Sequence, residues 1–272
     1  ERKKKMSGFE IKGKVNTAIC YAKVIEPEAI EQIRRMCDYV ITEEAKVRIM
    51  PDVHAGKGCT IGTTMTIKDK VVPNMVGVDI GCGMYTVNLG NIKIDFEKVD
   101  EAAHFIPSGR NVWEGRQEKF DLTKLRCYRE LKNTKWLERS LGTLGGGNHF
   151  IEIDEAADGT KYLIIHSGSR NLGKQVAEFY QQLAVNLDRG YGEYLEKRDE
   201  IIRTYKEQGR RKEIQQALEK LHWQVYESET NMPEDLCFLS GKYLDDYLYD
   251  VEICQAFAKR SREKMAEIIL ER

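Results

Sequence analysis

The chain has 272 residues, 41% of them hydrophobic, with 43 Lys and Arg against 44 Asp and Glu for a formal net charge of -1. That length and apolar content can bury a sizeable core, as one domain or as one domain with an elaborated arm. The near-neutral balance excludes a protein that is basic all over, the usual character of non-specific nucleic-acid binders, while leaving room for a local basic face.

No apolar run reaches the roughly 18 residues of a membrane span, and the start Glu1-Arg-Lys-Lys-Lys-Met-Ser lacks the apolar segment of a signal peptide, so a cytosolic protein is expected. The seven cysteines are an odd number, scattered without CxxC spacing, and read as reduced thiols. Lys14 to Ala22 alternates as a strand does. Glu26-Pro27 opens a helix with Ile30, Ile33, Met36, Cys37 and Val40 on one face. Lys46 to Met50 is a short strand leading into a Pro51-Asp52 corner. Cys59 to Lys68 is a strand rich in Thr and Ile, and Val71 to Val78 is another, with Pro73 as an edge or break.

From Pro51 to Met84 glycine, aspartate, histidine and cysteine are denser than folding needs. At its end, Gly77-Val-Asp79-Ile-Gly-Cys82-Gly holds a carboxylate and a thiol three residues apart. A regular strand sends i and i+3 to opposite faces, but flanking glycines permit a turn that aims both at one ion. Phe96 to Phe105 predicts a short helix in which His104, with no glycine or carboxylate beside it in sequence, is structural. Ser108 to Lys119 carries Arg110, Trp113, Arg116 and Lys119 and reads as a solvated loop in preference to a strand-binding one. Leu122 to Leu141 is mostly helical in composition.

Leu144-Gly-Gly-Gly147-Asn148-His149 and Ile164-Ile-His166-Ser-Gly-Ser-Arg170 each place an imidazole at a strand end, and a loop containing Asp158-Gly159 lies between them. A hairpin there brings His149 and His166 together. Two histidines, a thiolate and a carboxylate, each near glycine, make a metal constellation; ligand type alone favours zinc or iron, since a thiolate is softer than manganese prefers. Beyond Asn171 the chain turns helical: Lys174 to Asp188, a polar arm over 191–227 broken at Gly209, and Leu244 to Leu270. The arm reads as a helical hairpin or insertion with a solvated face, His222 within it as packing, and 1–190 with 228–272 as the main domain.

Asp52-Val-His54-Ala-Gly-Lys-Gly, Gly77-Val-Asp79-Ile-Gly-Cys82-Gly, Gly142-Thr-Leu-Gly-Gly-Gly-Asn148-His149-Phe and His166-Ser-Gly-Ser-Arg170 follow one another in this order. Together they resemble the RtcB family of RNA ligases, which join an RNA 3'-phosphate or 2',3'-cyclic phosphate to a 5'-hydroxyl using GTP and manganese. The resemblance runs from about Pro51 to about Gly173, and more loosely over Phe238 to Met265. It implies a mixed α+β fold with β-rich layers around the metal site. It also implies two manganese ions bridged by the cysteine, metal-ligand roles for Asp79, Cys82, His149 and His166, a nucleotide-phosphate contact for Asn148 and an RNA-phosphate contact for Arg170. Asp52 and His54 orient ligands or the RNA end in this reading, and Lys57 is a weaker candidate for phosphate.

In the family a histidine attacks GTP, GMP passes to the RNA 3'-phosphate, and the 5'-hydroxyl displaces it. Neither the HGAGR-like motif of that nucleophile nor the HHNY-like segment of a further metal histidine occurs here, and the five histidines all lie elsewhere. The sequence therefore reads as the N-terminal part of a longer family pattern, stopping in mid-helix. Two other readings stand beside it: a nucleotide- or RNA-binding module without turnover, and a metal-dependent phosphoesterase that activates water.

Overall fold

The computed structural model describes residues 8–56, 58–225 and 232–272, with backbone alone at 193, 219 and 222–225. The expectations for Glu1 to Ser7, Lys57 and the His222 side chain thus fall outside the described residues. In chain order the elements are β1 (Phe9–Lys12), β2 (Thr17–Cys20), α1 (Pro27–Met36), β3 (Val47–His54), β4 (Ile61–Met65), β5 (Lys70–Val71), α2 (Pro73–Val76), β6 (Gly83–Gly90), α3 (Phe96–Phe105), α4 (Thr134–Arg139), β7 (Phe150–Glu155), β8 (Lys161–Ser167), α5 (Asn171–Asp188), α6 (Tyr191–Glu207), α7 (Ile214–Val225), β9 (Leu239–Ser240) and α8 (Gly241–Leu270). The fold is mixed α+β. Its contacts divide it into two compact units, 1–76 with 180–244 and 77–179 with 245–272.

The first unit is built on a sheet ordered β1-β2-β3-β4, in which only β2 and β3 run parallel. A parallel pair needs a crossover, and α1 supplies it, started by Pro27 at its first turn and burying Ile33 and Met36 against Ala18, Cys20, Val47 and Ile49. Each such side chain contributes about 1.5–3 kcal/mol. The Pro51-Asp52 corner is not a strand end. β3 runs through it to His54, with a register shift between Ile49 and His54 that accommodates a proline unable to donate to the ladder. Past Val71 the expected strand is instead the helical turn α2, because Pro73 suits a first helical position. α6 and α7 fall in this unit and are separated around Gly209, whose φ is +72°.

The second unit centres on an antiparallel sheet ordered β6-β8-β7. Leu163 and Ile165 of β8 point into a core with Ala102 and Ile106 near α3 and with Met265, Ala266, Ile268 and Ile269 of α8. The intervening residues Ile164 and His166 face the other side. α3 has the expected bounds, capped by Asp95, whose carboxylate accepts from the Lys98 N–H. β6, whose Tyr85, Val87 and Leu89 pack on this core, has an alternation obscured by the glycines before it. Leu122 to Leu141 is mostly not α-helical: it contains 3-10 turns at Leu122–Lys124 and Tyr128–Glu130 and then the six-residue α4. Here the buried Asp250 carboxylate on α8 accepts the Arg126 and Cys127 N–H groups at 2.7 and 3.1 Å, taking amides that a helix would have used. Among the described residues no helix is long and apolar enough to cross a membrane.

Candidate metal centre

Sheet register assembles most of the site in the second unit. His166 pairs with Met84 on one side and with Phe150 on the other, and Gly83 pairs with Ser167. Cys82, just before β6, and His149, just before β7, are thus delivered to the same sheet end as His166. The Asp158-Gly159 hairpin forms as the spacing predicts, with the Asp158 carboxylate accepting from the Thr160 N–H. Asp79 joins through the turn in which the Cys82 N–H donates to the Asp79 carbonyl, with Gly81 at φ +79°.

The Cys82 Sγ lies 3.1 Å from His166 Nε2 and 3.7 Å from His149 Nε2, and His149 Nε2 lies 3.4 Å from Asp79 Oδ2. Ligands about 2.0–2.3 Å from one tetrahedral ion stand roughly 3.3–3.8 Å apart, so the Asp79, Cys82 and His149 atoms, all within 4.8 Å of one another, could hold a cation. His166 meets this trio through Cys82, its Nε2 3.1 Å from the sulfur.

Both imidazoles are oriented from behind. His149 Nδ1 is 3.1 Å from the Leu144 carbonyl and His166 Nδ1 is 3.1 Å from the Asn148 carbonyl. A carbonyl only accepts, so each Nδ1 carries the proton and each Nε2 lone pair is left toward the sulfur. Carboxylate, thiol and two such imidazoles are a donor set that fits a divalent cation. Cys82 is the exposed one of the seven cysteines; the other six are buried. Burial and the Asp79 carboxylate push its thiol up to about 12, and the facing His149 ring holds the Asp79 carboxyl below the usual range despite burial. A cation among these groups reverses that logic for sulfur, since a coordinating thiol is deprotonated.

The site depends on two glycines within the motifs and on one arginine outside them. A Cβ on Gly168 would stand 2.1 Å from Asp79 Oδ1, and one on Gly145 would stand 2.3 Å from Arg170 Nη1 and 2.7 Å from His149 Nδ1. Arg262 of α8 is 9% exposed and donates from Nη1 to the Gly81 carbonyl at 2.8 Å and the Ser167 carbonyl at 2.6 Å, tying the Cys82 turn to the end of β8. Its signal in sequence is only a charged position on a charged helix.

Arg170, at φ +59°, donates from Nε to Thr143 Oγ1 and from Nη2 to the Gly109 carbonyl, and it lines a cavity of about 590 Å³ together with Asp79 and His149. The Asn148 side chain is exposed, while its carbonyl holds His166. Asp52 and His54 lie on β3 of the first unit, both exposed, with His54 Nδ1 2.9 Å from the Asp52 carbonyl. His104 is not packed: it is exposed on α3, 3.3 Å from the Asp100 carboxylate.

Comparison with known proteins completes the picture. A family model described as tRNA-splicing ligase RtcB matches residues 32–134 and 113–272. RNA-splicing ligases RtcB1 and RtcB of two Escherichia coli strains are each 31% identical over 253 residues, covering 82% of this chain and 52% of the relative. A tRNA-splicing ligase RtcB of Archaeoglobus fulgidus is 28% identical over 228 residues, covering 63% of this chain and 46% of the relative. The chain spans about half the length of the curated relatives it matches. The matched residues take in Asp79, Cys82, His149 and His166 and the Arg262 that braces them, and the chain belongs to the RtcB family.

Proposed function

We propose that this chain carries most of the metal centre of a GTP- and manganese-dependent RNA ligase that joins RNA 3'-phosphate or 2',3'-cyclic phosphate ends to 5'-hydroxyl ends in tRNA splicing or RNA repair, in the cytosol. The observation that carries the reading is the Cys82 sulfur, which stands in contact range of both His149 and His166 with Asp79 beside them. A soft sulfur alone argues for zinc or iron, but a thiolate shared between two ions relaxes that preference, and the family relation then favours manganese.

Asp79, Cys82 and His149 would hold one ion, and Cys82 with His166 would begin the site of a second. Bound ions supply charge neutralisation and orientation for phosphate groups. The chain's own residues do the rest. The Leu144 and Asn148 carbonyls fix the imidazoles, the Asn148 amide contacts the nucleotide phosphate, and Arg170 offers its remaining guanidinium edge to the RNA terminal phosphate. Asp52 and His54 orient ligands or the RNA end.

The intact mass of the polypeptide after incubation with GTP and manganese tests this. None of its five histidines stands in the nucleophile motif, so no GMP adduct is expected, and an adduct on any histidine or lysine of the chain would overturn the assignment of roles. A phosphoesterase would instead ignore guanine; saturable GTP binding by the manganese-loaded chain separates the two.

A further inference from the structure

The 590 Å³ cavity beside the cluster extends past Arg170 to Arg110, Trp136 and Lys174. Pockets that enclose small ligands run from roughly 300 to 1,000 Å³, so this one has room for a nucleoside as well as its phosphate. Its rim is fixed. Arg110 follows Gly109, whose N–H donates to the Gly145 carbonyl at 2.7 Å and whose carbonyl accepts from Arg170 at 2.8 Å. Trp136 lies on α4, and the approach to α4 is pinned to the first turn of α5: the Lys132 N–H donates to Gln175 Oε1 at 2.7 Å, and Gln175 Nε2 donates to the Lys132 carbonyl at 3.2 Å. Lys174 is the neighbour of Gln175. Its ion pair with Glu178, at 3.7 Å and exposed at both ends, is of the kind a phosphate displaces easily.

The charges in this cavity exceed what one phosphate needs. In the ligase reading bound metal ions and Arg170 would serve the end next to Asp79 and His149, and Arg110 and Lys174 add two more cations with the Trp136 indole among them. A free nucleotide carries its phosphates on one side of the nucleoside. The last nucleotide of a strand carries them on both: the terminal 3'-phosphate and the phosphodiester on its 5' side. We propose that the cavity is the subsite for the terminal nucleotide of a single-stranded RNA end, with Trp136 stacking on its base and Arg110 and Lys174 holding the phosphodiester before it. A single-stranded end can splay its last base onto the indole while both flanking phosphates reach the cations, whereas a blunt duplex holds that base in its pair and stack. The assignment rests on the ligase reading above.

The test is fluorescence anisotropy of the manganese-loaded 272-residue chain with a labelled single-stranded RNA ending in a 3'-phosphate, a blunt duplex with the same end, and GTP as a separate ligand. Trp136→Ala weakens strand binding about tenfold or more, and Trp136→Phe loses less than about threefold. Arg110→Gln and Lys174→Gln each lower the slope of log K against log salt by about 0.7. The duplex binds more weakly than the strand, and GTP binding is unchanged in all four variants. Thermal melts establish folding, and the two variants at exposed residues keep the test valid if Trp136→Ala fails to fold. Variants that bind the strand as the parent does, or that weaken GTP in place of RNA, overturn the subsite while leaving the ligase reading intact. A parent chain that binds no 3'-phosphorylated RNA overturns both.

Discussion

Gly168→Ala should damage the metal centre without unfolding the protein. Gly168 follows β8 and its φ lies outside the left-handed region, so the φ penalty that excludes alanine at such positions does not arise here. Space is the obstacle: the new Cβ would stand 2.1 Å from Asp79 Oδ1, 3.0 Å from its Cγ and 3.3 Å from its Oδ2. Bringing the nearest contact out to an ordinary separation displaces the carboxylate by roughly 1 Å, several times the ~0.2 Å latitude of a metal-ligand bond. Overpacking of this kind costs about 1–3 kcal/mol of stability, and disturbing a ligand's support costs about 10–100-fold in metal affinity. Urea melts of the metal-free protein and manganese titration against a chelating dye read the two effects. Gly146→Ala is the control, because its Cβ meets only the Gly109 Cα at 3.7 Å, and it should change stability by less than about 0.5 kcal/mol. Unaltered manganese affinity in Gly168→Ala, or an equal loss in Gly146→Ala, would refute the reasoning.

Arg262→Lys keeps the charge but its ammonium ends one bond short of Nη1, the single nitrogen that donates to both the Gly81 and the Ser167 carbonyls, so this bridge is lost. That costs about 1.5–3 kcal/mol, seen as a lower urea midpoint, and it also weakens manganese binding; a variant altered in neither removes Arg262 from the account. In the first unit, burial pushes the thiols of Cys37 and Cys59 up to about 11. A raised folded-state value favours the protonated form, so their contribution is fully present below the ordinary thiol value near 9 and is lost as pH rises through about 11. Denaturant melts from pH 7 to 11 should show a flat region and then a decline that is smaller in a Cys37→Ala, Cys59→Ala double variant; an equal decline would contradict this. Manganese at a hundredfold excess over its Kd should stabilise the native chain by about 2.7 kcal/mol, a gain abolished by chelator and absent in Cys82→Ser.

What was legible in the sequence was the local chemistry. Asp158-Gly159 between two apolar runs predicts the β7-β8 hairpin, and the hairpin register carries His149 and His166 to one end. Proline at a first helical turn and an apolar face predict α1, and α5 and α8 follow from their periodicity. Long-range hydrogen bonds were not legible. The Asp250 carboxylate reaches 124 residues back in sequence to the Arg126 amide and unmakes a helix that composition favours, and Arg262 reaches 181 residues back to Gly81. Arg110 reads as part of a solvated loop until the Gly109 to Gly145 bond places it on the cavity rim. The triple glycine is legible as unusual, but the reason at Gly145 is the Arg170 guanidinium and His149 ring packed where a side chain would go.

The central claim is that Asp79, Cys82, His149 and His166 form one metal centre around a shared sulfur. Titrating the chain with cobalt(II) while recording the near-ultraviolet thiolate-to-metal absorption addresses it most directly. The account predicts a saturable band that disappears in Cys82→Ser and weakens in Asp79→Asn, His149→Ala and His166→Ala, with the six buried cysteines silent. A band that survives Cys82→Ser, or its absence from the parent chain, would contradict it.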